Sequence, residues 1–146
     1  MTGKELWKAF IEANGLTDCE HEEWAFGVDA NLLAHLVISG EKTATASVYP
    51  LYEIEGEPLP MEGEYSIILD ANDNAVCVIQ TIKVSVVPFN EVTEEHAFKE
   101  GEGDKSISYW KHVHETCFTQ WLQDAGLQFS EDIKVVCEEF IMVYPR

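Results

Sequence analysis

The sequence predicts an α+β fold, a small curled antiparallel β-sheet or barrel with helices packed at its sides. Three observations carry this expectation. Apolar segments of strand character, "YSIILD", "AVCVIQTIKVSVVPF" and "IKVVCEEFIMVY", gather in the middle and at the end of the chain. The first two flank the turn residues of "ANDN", which is a hairpin signal. Helical patterns are inserted between the strands without the regular alternation of a βαβ array.

Each element has its own local reason. Thr2 and Glu5 form a T-x-x-E capping box before Leu6, Phe10 and Ile11, and Gly15 can end that helix. A polar, acidic connection over 16–23 leads to "WAFGVD", read as a short strand. Asp29 can cap a second helix carrying Leu32, Leu33, Leu36 and Val37, which stops at Gly40. A turn and a strand follow in "SGEKTATASVYP", and Pro58 and Pro60 mark a loop. In the long strand, Val76, Val78, Gln80, Ile82, Val84 and Val86 fall on one face at period two, which predicts a core face. After the glycine-rich acidic loop "EGEGDKS", Asp104 or Ser106 can cap the longest helix. Ile107, Trp110, Val113, Cys117, Trp121 and Leu122 form its apolar stripe, ending at Gly126.

A length of 146 residues suits one compact domain with its own core. No apolar run approaches a membrane span, and "MTGKELWKAF" lacks the layout of a signal peptide, so a cytoplasmic protein without a membrane partner is expected. Cys19, Cys77, Cys117 and Cys137 show no C-x-x-C pair and are read as reduced thiols. The formal net charge is -18, and the single arginine is Arg146. Proteins that grip nucleic-acid backbones do so with lysine and arginine clusters. Tight non-specific binding to double-stranded DNA is therefore not expected. The oligomeric state stays open, since the helix stripes show no apolar surplus beyond one core.

Lys42 stands out because it lies between the helix-ending Gly40 and a run of small hydroxyl residues, Thr43, Thr45 and Ser47. A lysine after such a glycine is ordinarily solvated and favoured by the helix dipole. A partly desolvated amine can instead act as a base, with Thr45 as its nucleophile or polariser. In an extended chain, however, Lys42 and Thr45 point to opposite faces, so the chain must turn between them. Glu100 lies in an acidic run that is normally a solvated face, but it directly precedes Gly101, where a helix can end at a cleft. His114 and Cys117 have helical spacing for one metal ion, whereas His112 and His114 do not. Two ligands without an identifiable third make a weak case, so neither a metal nor a cofactor is expected. Trp24 and Trp110 can stack on a nucleobase, although tryptophan in such segments is more often core.

Together, "ISGEKTATAS", "PLPMEGEYSIIL", "PFNEVTEEHAFKEGEGDKSISYWKHVH" and "VVCEEFIMVY" resemble the ASCH domain family, from about Trp24 to Tyr144. The resemblance implies a PUA-like β-barrel making residues 1–146 one domain, with 1–21 as an N-terminal helical extension. A tight turn at a barrel mouth would bring Lys42 and Thr45 together. The family includes amidohydrolases of N(4)-acetylcytidine, and their proposed lysine, threonine and glutamate fall on Lys42, Thr45 and Glu100. The longer subgroup, with an N-terminal helix and the "EGEGD" loop, matches more closely and includes members that bind or cleave RNA. The expected partner is thus a small nucleoside-like ligand or RNA, contacted by Gly40, Thr43, Ser47, Trp24 and Trp110 beside that catalytic set. Three functions are carried forward: an amide hydrolase of acylated pyrimidine nucleosides, an RNA-binding module or ribonuclease, and a non-catalytic sensor of a nucleotide-like ligand. RNA binding would require Lys42, Lys83, Lys99 and Lys105 to gather into one patch.

Overall fold

A computed structural model describes residues 1–145. The elements in order are α1 (Gly3–Asn14), β1 (Glu22–Ala25), α2 (Ala30–Ser39), β2 (Ala44–Val48), α3 (Tyr49–Glu55), β3 (Tyr65–Leu69), β4 (Ala75–Pro88), α4 (Glu94–Glu100), α5 (Ile107–Asp124) and β5 (Lys134–Tyr144), with a 3-10 turn at Phe89–Glu91. Among the described residues no helix is long and apolar enough to cross a membrane.

Local signals set the helix limits. Thr2 and Glu5 form the reciprocal capping box, and Gly15 closes α1 in the left-handed region. Asp29 accepts from the Leu32 amide at the start of α2, Thr93 from the His96 amide at α4, and Ser106 from the Tyr109 amide at α5. The sequence reading overlooked α3, whose signal is Pro50 in the first turn, where a missing amide proton costs nothing.

The strands form one sheet in the order β1-β3-β4-β5-β2. β1 runs parallel to β3, against the wholly antiparallel expectation, and the other three pairings are antiparallel. The edge strands β1 and β2 do not pair, but the sheet curls until both line one cleft. The result is a half-barrel whose open seam is that cleft.

Both faces of the sheet centre are covered. Ile67, Leu69, Val78 and Val143 pack against Leu6, Trp7 and Phe10 of α1. Ile68, Cys77, Ile79 and Phe140 pack with Leu33, Ala34 and Val37 of α2 and with Phe26. The alternating face expected in β4 does not hold along the strand. Ile82 and Val86 are exposed, whereas Cys77, Val78 and Ile79 are buried in succession. The physical reason is twofold: register shifts at Val78/Ile79 and Thr81/Lys83 reset the alternation, and helices on both sides bury odd and even positions alike. A third cluster joins Val48, Phe89, Trp110, Phe118 and Leu122 at the α5 end. Phe118 and His114 thus belong to the buried side of α5, which the predicted stripe left out.

Candidate functional site

Lys42 is 2% exposed, although the local sequence makes it look like a solvated loop residue. Backbone bonds explain how it is drawn in. The Lys42 amide donates to the Leu36 carbonyl of α2, the Thr43 amide to the Lys99 carbonyl of α4, and the Phe140 amide of β5 to the Thr43 carbonyl. The segment is stitched between three elements, and its side chain turns into the junction between them. There Nζ lies 3.4 Å from Glu100 Oε1 and 3.0 Å from Glu102 Oε2, and 5.2 Å from the Phe26 ring centroid.

Glu100 comes from the last turn of α4 and is 1% exposed. Gly101 makes this possible. Its φ is +72°, and a Cβ there would sit 2.3 Å from the Glu41 carbonyl oxygen, so the chain passes closely over the Lys42 backbone. Both carboxylate oxygens are satisfied. Oε2 accepts from His96 Nε2 at 2.7 Å and from the Trp110 indole, and Oε1 faces Lys42 and, at 3.4 Å, His114 Nε2. Burial works to raise the pKa of this carboxyl. The Lys42 charge and the two histidine contacts outweigh it and hold the group well below the usual carboxylate range.

His114 is oriented by its other nitrogen, since Nδ1 lies 2.8 Å from the Trp110 carbonyl and must donate to it. Nε2 therefore meets Glu100 as a bare lone pair unless the ring is protonated. Burial lowers the pKa of this imidazole, but the Glu100 contact prevails and raises it.

Glu100, Glu102 and His114 offer ligand atoms within 4.8 Å of one another, the spacing of ligands to one cation. Lys42 Nζ already supplies a positive charge beside the same two carboxylates. Cys117 is not part of this group and packs at the edge of the α5 cluster instead.

The seam of the half-barrel forms a cleft of about 640 Å³. Trp24, Phe26 and Trp121 supply its flat apolar surface, and Thr45, Ser47, Tyr52 and Glu138 its polar atoms. Ser47 and Tyr52 share a hydroxyl–hydroxyl bond of 2.7 Å. Thr45 and Glu138 face each other in register across β2 and β5. Phe26 belongs to both places, as a wall of the cleft and as the ring beneath the Lys42 ammonium.

The family model of the ASCH domain matches residues 22–144. The chain belongs to the ASCH domain family. Two crystal structures extend the likeness to nearly the whole of this ASCH protein. Protein EF3133 from Enterococcus faecalis V583 is 36% identical with a TM-score of 0.89, covering 96% of this chain and 86% of that one. The ASCH domain from Lactobacillus crispatus JV V101 is 30% identical with a TM-score of 0.87, covering 97% and 96%. Hypothetical protein PH0355 shares the fold alone, at 16% identity and a TM-score of 0.56 over 85% of this chain and 100% of that one. No curated protein matches the chain. The curled sheet is the PUA-like fold of the ASCH structures.

Within this ASCH domain the sequence-predicted residues separate into two places. Lys42 and Glu100 meet, 58 residues apart in sequence. Thr45 lies in the cleft, and among the described residues no hydrogen bond links it to Lys42. Trp24 and Ser47 also line the cleft. Thr43 is used structurally, and Gly40 is the left-handed cap of α2. Trp110 is 3% exposed, stacked on His114 at 4.2 Å, and positions Glu100 rather than facing the cleft. Sequence reasoning missed Glu102, His96, Phe26, Tyr52, Trp121 and Glu138. The spacing His96–Glu100, one helical turn, was a readable signal for a partner of Glu100.

Proposed function

We propose that this ASCH protein hydrolyses an amide on a small, phosphate-free pyrimidine nucleoside bound in the seam of the half-barrel. The observation that carries the reading is the buried meeting of Lys42 and Glu100 behind Phe26, with Thr45 on the open side of the same wall. In the proposed mechanism the acyl carbonyl lies beside Thr45, which attacks or polarises it. Lys42 reacts as the free amine: it takes the proton of Thr45 or of water as the nucleophile adds and returns it to the amide nitrogen as the C–N bond breaks. The nucleoside leaves as its neutral amine and the acyl group as a carboxylic acid, through water cleaving the ester where Thr45 is the nucleophile. Glu100 orients Lys42. Purified protein incubated with N(4)-acetylcytidine is expected to release cytidine, and Lys42→Ala to abolish release. Absence of turnover by the wild type across a panel of acylated nucleosides overturns the reading.

One observation favours a second reading. Lys42 does not itself line the cleft, and two carboxylates surround it. A non-catalytic sensor would use the ion pair only to brace the wall. Its mark is ligand-induced thermal stabilisation without turnover. RNA is less well supported by the charges. Lys83 and Lys99 both lie within reach of Glu139, at 3.7 and 2.7 Å, and Lys105 is 3.7 Å from Glu41. With Lys42 buried, each of the other three lysines has a carboxylate neighbour that offsets its charge.

A further inference from the structure

Glu138 has no part in the chemistry above, yet it lines the cleft. Its position follows from β5 lying between β4 and β2, so that Thr81 stands on one side of it and Thr45 on the other. The residue is 9% exposed, and Oε2 accepts from the Thr81 hydroxyl at 2.6 Å. Oε1 has no hydrogen bond to protein among the described residues. No buried side-chain oxygen is left unpartnered there, so Oε1 is the atom that opens to the cleft. A half-desolvated carboxyl oxygen between aromatic walls attracts a hydrogen-bond donor, because leaving it unmade forfeits a strong interaction.

The remainder of the cleft restricts which donor. Trp24 and Trp121 offer π-faces suited to a planar ring, and the volume is within the ordinary range for a small-molecule site. Glu22, Glu55, Glu57 and Glu64 stand around the opening. This field repels phosphate and admits a neutral or cationic molecule. Aromatic walls, one inward carboxyl oxygen and a negative rim therefore describe a single ligand chemistry.

We propose that the cleft takes a flat, uncharged heterocycle bearing N–H donors, a nucleoside rather than a nucleotide, and that Glu138 selects it by accepting one of those hydrogens. The inference rests on the nucleoside reading above but not on catalysis.

The test is titration calorimetry of the intact protein with cytidine and cytidine 5′-monophosphate. Wild type is expected to bind cytidine at least about tenfold more tightly than the monophosphate. Glu138→Gln, which keeps the shape, is expected to weaken cytidine binding by about tenfold, and Glu138→Leu by more. The exposed pair Glu55→Lys/Glu57→Lys removes two rim charges and is expected to close the gap to the monophosphate. Equal affinity of wild type for both ligands overturns the proposal. So does unchanged cytidine binding in folded Glu138→Gln, or no nucleoside binding at all. Turnover of N(4)-acetylcytidine on the same samples keeps the two readings apart. Hydrolysis with no effect at Glu138 removes only the selector role, and binding without hydrolysis removes only the enzyme.

Discussion

Replacing Lys42 with methionine is expected to lower the free energy of unfolding by about 3–5 kcal/mol, the usual cost of stranding one partner of a buried ion pair. Methionine keeps much of the aliphatic stem and removes the charge, so little of the loss is cavity. Glu102 can turn to water, since its side chain is 18% exposed, but Glu100 at 1% cannot. At this chain length the loss corresponds to a fall in Tm of roughly 10 °C. The double variant Lys42→Met/Glu100→Gln is expected to recover part of it, because a neutral amide can still meet His96 and Trp110. Urea unfolding of the two single variants and the double supplies the cycle. A change below about 0.5 kcal/mol in Lys42→Met is the ordinary result at an exposed site and contradicts the buried pair.

The same cluster sets the direction of pH dependence. Glu100 is depressed in the folded state, so its contribution is present above its unfolded value and lost as pH falls through the lower folded one. His114 is raised, so its contribution is complete below its unfolded value and lost as pH rises through the folded one. Glu138 is also raised, by burial first, and acts in the same direction as His114. The cluster is therefore most stabilising in mild acid. In Lys42→Met the acid limb is expected to move to higher pH, because the charge that holds Glu100 down is gone.

The second large effect is expected at Gly101→Ala. Two costs combine there, a left-handed backbone and a Cβ 2.3 Å from the Glu41 carbonyl oxygen, which is backbone and cannot swing away. Each is worth about 1–3 kcal/mol. Gly15 provides the control, with φ +62° and nothing within 4 Å of its added Cβ. Gly15→Ala is expected to cost about 1 kcal/mol and to leave any turnover intact. Gly101→Ala should cost distinctly more and also displace Glu100 from Lys42. Equal losses for the two alanines, read by thermal unfolding, contradict the close approach of α4 to the 41–43 segment.

What the sequence revealed was largely what local chemistry dictates. The caps at Thr2 and Asp29, the stops at Gly15 and Gly40, and the β3–β4 hairpin are all local, and all appear in the fold. The burial of Lys42 is not local, since its partners lie 58 and 60 residues away and its own neighbours describe a loop. The parallel pairing of β1 with β3 is likewise a tertiary outcome. Period-two reading failed in β4 because a bulge changes which residue points inward. Glu138 was hidden for a related reason: in "VVCEEF" it looks like one of two ordinary strand carboxylates, and only the curl of the sheet turns it to the cleft. The meeting of Lys42 with Glu100 could be anticipated through the family resemblance, whereas the absence of Lys42 from the cleft that Thr45 lines could not.

In the proposed reaction a buried ion pair and a cleft hydroxyl act on one ligand, and Thr45 is the residue on which that cooperation depends. The measurement is the rate of cytidine release from N(4)-acetylcytidine by wild type and Thr45→Val, with the affinity for cytidine determined on the same preparations. Release by wild type is expected, with its loss in Thr45→Val and affinities that agree within about threefold. Release by Thr45→Val at the wild-type rate, or none by the wild type, contradicts the proposed reaction.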